Sequence, residues 1–317
     1  MIGREGGRIL VTGALGQIGT DLVQSLRDIY GAEMVIASDI REKPNHPCIL
    51  NGPYINLDVL DKDRIFQIIN DQNIKIIYHL AAILSARGEE NPELCELINV
   101  EGTRNIFDAG REFGLRIFTP SSIAVFGPDT PKKAPQVTPL NPTTKYGMTK
   151  VECEILGMMY YQKYGVDIRG IRYPGLISWK SPVSGGTTDY AVDIFHAALS
   201  DESKYDCFLN GDTRLPMMYM DDAIRATISL MDAPIDSLSS ARCGYNISGL
   251  SFTPKELVSE IKKRLPDFVC NYKPDIRQNY ADSWPDSIDD QVSRNDWNWQ
   301  SRFSLETIVD EMISNLK

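Results

Sequence analysis

Between an apolar pentapeptide, Arg8-Ile-Leu-Val-Thr12, and a stretch with Ile18, Leu22, Leu26 and Ile29 at near-helical spacing stands Gly13-Ala-Leu-Gly16-Gln-Ile-Gly19. Glycines so spaced let the backbone turn tightly and approach an anion, and the helix that follows aims its positive end at that anion. A glycine triplet alone is also an ordinary turn. Its weight here comes from context, because Met34-Val-Ile-Ala-Ser38 reads as a second strand, which Asp39 closes 20 residues after Gly19. A carboxylate at that place accepts hydrogen bonds from the adenosine ribose of a dinucleotide. It also repels a ribose 2′-phosphate, so NAD is expected over NADP. Arg41 reads as a solvated loop arginine, with a phosphate contact as the competing reading.

The alternation continues. Asp61 is placed to cap a helix carrying Ile65, Phe66, Ile68 and Ile69, and Ile74 to Leu80 reads as a buried strand. Asn91-Pro92 opens a long helix to about Phe113, since proline suits a first helical turn. Arg116-Ile-Phe-Thr119 and Asp167-Ile-Arg-Gly-Ile-Arg172 are two further strands flanking a helix from about Thr143 to Lys163. Strands apolar on both faces and separated by helices predict an α/β fold, a Rossmann-type doubly wound parallel sheet. Beyond Arg172 the pattern loosens. Pro174 to Gly186 reads as a loop, and helices are expected near Asp189–Leu199, Asp221–Met231 and Thr253–Leu265. We therefore divide the chain into an NAD-binding domain, 1–175, and a smaller substrate-binding lobe, 176–317, with an approximate boundary and interleaved elements.

Composition narrows the function classes. With 33 basic and 43 acidic residues the net charge is −10, a poor match for nucleic acid or an anionic membrane. No apolar run approaches the roughly 18 residues of a membrane span. Met1 to Gly7 lacks the apolar stretch of a secretory signal and leads straight into a strand. Cys48, Cys95, Cys153, Cys207, Cys243 and Cys270 form no Cys-x-x-Cys and read as reduced structural thiols. His46, His79 and His196 are isolated, so a metal-independent protein is expected.

Tyr146-Gly-Met-Thr-Lys150 sets a phenol and an ammonium four apart, on one face of the predicted helix. A free phenol, with a pKa of about 10, is a poor base at neutral pH; a neighbouring cation favours the phenolate. The pair is also a common helix-surface arrangement. Ser121-Ser122 ends the preceding strand, at the edge where open α/β sheets bind ligands; a serine there is otherwise a cap or turn residue.

Together, Gly-x-x-Gly-x-x-Gly, Ser-Ser at a strand end and Tyr-x-x-x-Lys resemble the extended short-chain dehydrogenase/reductase superfamily. Supporting pieces are Leu80-Ala81-Ala82, Asn99-Val-Glu-Gly-Thr103, Asn141-Pro142, Arg172-Tyr-Pro-Gly175 and Tyr219-Met-Asp-Asp-Ala223. Gly185-Gly-Thr-Thr-Asp-Tyr-Ala191, Ala82-Ile-Leu-Ser-Ala-Arg-Gly88, Ser283-Trp-Pro-Asp-Ser-Ile-Asp-Asp290 and Asp296-Trp-Asn-Trp299 are similar to the epimerase-like L-threonine 3-dehydrogenases. That resemblance implies NAD as cofactor, L-threonine as substrate, 2-amino-3-ketobutyrate as product and no zinc. Tyr146 would be the base, Lys150 would orient the nicotinamide ribose, and Ser122, rather than Ser121, would polarise the reacting oxygen.

It also implies cofactor contacts from Gly13, Leu15, Gly16, Gln17 and Ile18, then from Asp39, Ile40 and Arg41. Leu57, Asp58, Leu80, Ala81, Ala82 and Asn99 follow, and Tyr146, Lys150, Tyr173, Pro174 and Leu176 complete the set. Ser85, Ser122, Tyr146, Thr187 and Thr188 are the expected substrate contacts; Thr187 or Thr188 reads alternatively as a helix cap, and Ser85 as a plain loop hydroxyl. Trp179, Trp284, Trp297 and Trp299 read as packing residues, His79 as a satisfied core histidine, and Asp221-Asp222 as a helix start. The superfamily suggests a homodimer through the helices near 92–113 and 143–163. The expected location is intracellular: the mitochondrial matrix for a eukaryotic chain with a trimmed transit peptide, otherwise the cytoplasm. Two other functions fit parts of the pattern, a sugar-nucleotide epimerase or dehydratase and a non-enzymatic dinucleotide sensor. The sensor accounts poorly for Tyr146 and Lys150.

Overall fold

The computed structural model describes residues 6–180 and 185–317. The reading of Met1 to Glu5, and residues 181–184 within the expected loop, lie outside the described residues. In chain order the strands are β1 (Arg8–Thr12), β2 (Val35–Asp39), β3 (Tyr54–Asn56), β4 (Ile74–His79), β5 (Arg116–Ser122) and β6 (Lys133–Ala134). Then come β7 (Asp167–Tyr173), β8 (Gly175–Ile177), β9 (Lys204–Cys207), β10 (Leu215–Tyr219), β11 (Tyr245–Asn246) and β12 (Leu250–Phe252). Seven of them pair in parallel in the order β11-β7-β5-β4-β1-β2-β3. This is the expected α/β, doubly wound parallel sheet.

Both faces of the sheet are covered, which is why its strands read as unbroken apolar runs. The helices before residue 233 are α1 (Gln17–Tyr30), α2 (Pro47–Leu50), α3 (Lys62–Asp71), α4 (Ser85–Glu90), α5 (Pro92–Glu96), α6 (Gly102–Phe113), α7 (Lys145–Tyr164), α8 (Tyr190–Ala198) and α9 (Met220–Asp232), and α10 (Pro254–Lys262), α11 (Arg277–Asp282), α12 (Gln291–Trp297) and α13 (Leu305–Leu316) follow. Ile9 and Val11 of β1 pack with α1 and α9 on one face. Leu10, between them, packs with α3, α6 and α7 on the other. Local chemistry sets the helix ends: the Asp61 carboxylate accepts the Arg64 N–H and the Thr144 hydroxyl accepts the Gly147 N–H. Gly114 and Gly165, at φ 65° and 71°, end α6 and α7 in the left-handed region open to glycine.

Two features differ from the sequence reading. The expected loop from Pro174 contains β8, which pairs in parallel with β10, while β12 joins β10 antiparallel. Leu176-Ile177 is too short an apolar pair to register as a strand without its partner. The helix expected from Pro92 to Phe113 is interrupted by a π-helical turn, Leu97–Glu101. The sheet takes its last strand, β11, from far beyond residue 175. A further apolar cluster gathers Phe195, Leu215, Phe252 and Met312 with Val125 and Phe126 of the turn after β5. Among the described residues no helix is long and apolar enough to cross a membrane.

Candidate active site

The turn after β1 is built for close approach. Gly13 sits at φ 67°, and a Cβ there would lie 2.6 Å from the Ala81 backbone nitrogen. A Cβ on Gly19 would lie 2.5 Å from the Gly13 carbonyl oxygen. Neither position accepts a side chain, so α1 begins flush against the turn. Its N-cap is Gly16, and no side chain caps it. The first N–H groups of α1 are therefore left to an anion, and this cradle fits a pyrophosphate.

Asp39 ends β2, 5% exposed, beside that turn. One carboxylate oxygen accepts the Arg41 N–H at 3.1 Å and Arg41 Nε at 2.9 Å; the other accepts the Leu15 N–H at 3.1 Å and Arg41 Nη2 at 3.0 Å. Burial works to raise the Asp39 pKa, but Arg41 and the Leu15 N–H outweigh it and hold the carboxyl below its ordinary range. Arg41 stays exposed in the loop, as the sequence suggested, but its guanidinium is engaged. A bidentate carboxylate partner two residues away captures it.

Behind the cradle runs a buried polar chain. His79 Nδ1 is 2.8 Å from the Thr12 hydroxyl, and Nε2 is 3.2 Å from that of Thr103. Burial, with a smaller push from Lys150, lowers the His79 pKa to about 3, so the ring is a neutral core group. Asn99 lies in the π-helical turn, a departure often found at functional sites. Its side-chain oxygen accepts the Ile83 N–H at 2.8 Å, while its amide donates to the Ile83 carbonyl and to Thr149. It thus fixes the segment that follows Leu80, Ala81 and Ala82, all half-buried at the sheet edge.

Tyr146 and Lys150 share one face of α7, with Lys150 Nζ 5.6 Å from the centre of the Tyr146 ring. Lys150 is buried and donates to the Pro120 carbonyl at 2.9 Å, leaving two N–H groups for a ligand. The start of α7 sits against the turn after β5, because a Cβ on Gly147 would lie 2.2 Å from the Ala124 carbonyl oxygen. That approach brings Tyr146 to the Ser122 end of β5. The two serines differ in what they have left to offer. Ser121 gives its hydroxyl to Glu154, itself ion-paired with Arg172 at 2.7 Å. Ser122 accepts the Ala124 N–H at 3.2 Å, which orients Oγ and leaves its O–H free to donate.

Ser85 opens the short helix α4, half-buried, and Gly88 of the same helix lies beside Tyr146. Thr187 is 3% exposed and Thr188 half-buried. Neither hydroxyl caps α8, whose N-cap is Asp189 without a side-chain cap bond. Instead the Asp189 carboxylate accepts the Gly185 and Gly186 N–H groups at 2.8 and 2.6 Å. Thr188 packs on Gly175, where a Cβ would lie 2.7 Å from its own.

Some expected contacts have side chains committed elsewhere. Tyr173 is in the core, bonded to Thr227, and the Asp58 carboxylate accepts the Leu60 N–H. Leu57 is buried and Ile40 is exposed. Trp284, Trp297 and Trp299 are buried packing residues, and Asp222 is held by Arg225 and by the Arg302 N–H. Sequence reading missed the Ser121–Glu154–Arg172 network; the alternation of charged residues within buried α7 and β7 was its available signal.

Residues 9–247 match the model of the NAD dependent epimerase/dehydratase family. The mitochondrial L-threonine 3-dehydrogenase of Bos taurus is 46% identical over 97% of this chain and 82% of its own length. Among solved structures, a monomeric L-threonine 3-dehydrogenase of metagenomic origin is 52% identical, with TM-score 0.93, over 97% of this chain and 98% of that one. The holo form of a GalE-like L-threonine dehydrogenase from Cupriavidus necator is 47% identical, with TM-score 0.94, over 98% of this chain and 100% of that one.

Proposed function

The chain belongs to the NAD dependent epimerase/dehydratase family, and on that premise we propose that it oxidises L-threonine at C3 with NAD, giving 2-amino-3-ketobutyrate. What supports this reading is Lys150 beside Tyr146 on α7, the seat of that helix against the turn that follows Ser122, and a glycine cradle, in a chain close to L-threonine 3-dehydrogenases over nearly its whole length.

Tyr146 takes the proton from the 3-hydroxyl as general base. Ser122 donates its free O–H to the same oxygen and holds it toward the phenol, so the proton passes between preset partners. Lys150, anchored on Pro120, turns its remaining donors to the nicotinamide ribose and keeps a positive charge beside the phenol. NAD, when bound, supplies the two-electron acceptor for the C3–H bond. Gly13, Gly16, Gln17 and Ile18 would hold its pyrophosphate on the start of α1. Asp39 would face its adenosine ribose, exchanging contacts with Arg41. On the substrate side, Ser85, Thr187 and Thr188 offer uncharged hydroxyls to the carboxylate and ammonium of a small zwitterion.

A homodimer is part of the same reading. Leu94 and Leu97, with Met148, Ile155 and Met159 on α7, leave apolar side chains exposed along the two helices expected to meet a second copy. The metagenomic relative is described as monomeric, so sedimentation equilibrium decides the point: a 35.6 kDa species at micromolar concentration would refute it. The function itself is tested by following NADH absorbance with L-threonine, L-serine, L-allo-threonine and a UDP-sugar. Turnover of L-threonine above the others is expected, and epimerisation of the UDP-sugar without net NADH would replace this reading.

A further inference from the structure

Asp21 lies in α1, two residues past Gly19, and is 3% exposed. Its carboxylate is 2.7 Å from Lys180 Nζ. Burial raises the Asp21 pKa; the Lys180 ammonium opposes that rise and the nearby charge of Asp221 adds to it. Burial works against the Lys180 ammonium too, but Asp21, Asp221 and Asp28 outweigh it and hold its pKa above the ordinary range. The ion pair thus ties the cofactor-side helix α1 to the residue that ends the stretch following β8. An acid this deep keeps its charge only with such a partner, and removing the partner leaves an uncompensated buried group.

What Lys180 is attached to gives the pair its meaning. It ends the stem that runs from β8 through Ser178 and Trp179. The Ser178 hydroxyl accepts the Lys180 N–H at 3.2 Å. At the other end of this stem, Gly175 is in contact with Thr188. The stem therefore touches the threonine pair at one end and α1 at the other. Asp21 is too far along α1 to cap it, and neither partner belongs to the proton path through Tyr146 and Ser122.

We propose that Lys180 is a positioning residue, whose pair with Asp21 fixes the Thr187-Thr188 stretch relative to the helix that receives the pyrophosphate. It rests on the reading that these threonines meet the substrate. The pair holds the substrate stretch in register with the cofactor cradle, so its loss loosens substrate binding before it affects chemistry.

The test uses Lys180→Met, Asp21→Asn, their double variant and Lys180→Arg in the full chain. Each of the first two should raise the threonine KM about tenfold, within the usual coupling range of contacting residues. Their kcat and NAD affinity should stay within about twofold, a fraction of the tenfold that 1.4 kcal/mol represents. The double variant should be no worse than the weaker single, and Lys180→Arg should restore most of the loss. Hydrogen exchange should quicken at Gly185 and Gly186 and stay unchanged in β1, β4 and β5. Additive single effects, an unchanged KM, or exchange that quickens throughout the chain would each overturn the proposal. If the unaltered protein does not oxidise threonine, the functional reading falls on that control. The exchange pattern then decides the link by itself, local quickening upholding it and no local change refuting it.

Discussion

Replacing Gly147 with alanine perturbs the reacting geometry without altering a reacting group. The added Cβ would lie 2.2 Å from the Ala124 carbonyl oxygen and 2.6 Å from Pro142 Cβ, whereas real Cβ atoms essentially never come within 3.0 Å of such atoms. The start of α7 must therefore retreat from the turn after β5 by about 0.8 Å. That displacement falls between Tyr146 and Ser122, the two groups proposed to share one substrate oxygen. A misplacement of about 1 Å can cost on the order of 10²-fold in rate. We expect Gly147→Ala to lower kcat by about 50- to 100-fold on that basis. The glycine cradle and Asp39 lie elsewhere, so NAD affinity should be nearly unchanged. Steady-state NADH absorbance at saturating threonine gives kcat, and quenching of protein fluorescence by NADH gives cofactor affinity. A variant that folds and retains more than about a third of the normal kcat, far outside that cost, would show that the α7 contact does not set the reacting distance.

Tyr146→Phe should lose about 10²–10⁴-fold in turnover with NAD binding retained, since the phenol acts on the substrate proton; residual activity near the normal rate would dismiss it as the base. Asp39→Ala should narrow the preference for NAD over NADP, because it removes the repulsion of a 2′-phosphate and releases Arg41 to meet one. Equal catalytic efficiency with both cofactors in the unaltered protein would refute that role. His79 also makes stability depend on pH. Its pKa is about 3 folded against 6.5 unfolded, so its contribution is fully present above pH 6.5 and is lost as pH falls toward 3. At pH 5 the loss is about 2 kcal/mol, at 1.36 kcal/mol per pH unit below the unfolded pKa. Denaturant melts should show a shallower decline between pH 6.5 and 5 in His79→Asn than in the unaltered protein; parallel declines would contradict the assignment.

Much of this was legible in the sequence because it depends on local rules. The glycine spacing, the apolar runs of β1, β2 and β4, the Asp61 cap and the i, i+4 placement of Tyr146 and Lys150 each need only neighbours in the chain. What was hidden depends on partners far away. The strands β3, β8 and β11 have only two or three residues, and pairing with a distant strand, more than their own pattern, makes them strands. The resemblance already chose Ser122 over Ser121, but the physical ground for it was hidden: Glu154, on another element, takes up the first hydroxyl.

The most direct measurement follows a label. L-threonine carrying deuterium at C3 is incubated with the protein and NAD, and the reduced cofactor and amino-acid product are analysed by mass spectrometry. If Tyr146 and Ser122 serve oxidation of the 3-hydroxyl, NADH forms with the deuterium on its nicotinamide ring, and 2-amino-3-ketobutyrate or its decarboxylation product appears without it. Deuterium that stays on threonine, or returns to it with no net NADH, would contradict C3 oxidation as the reaction of this site.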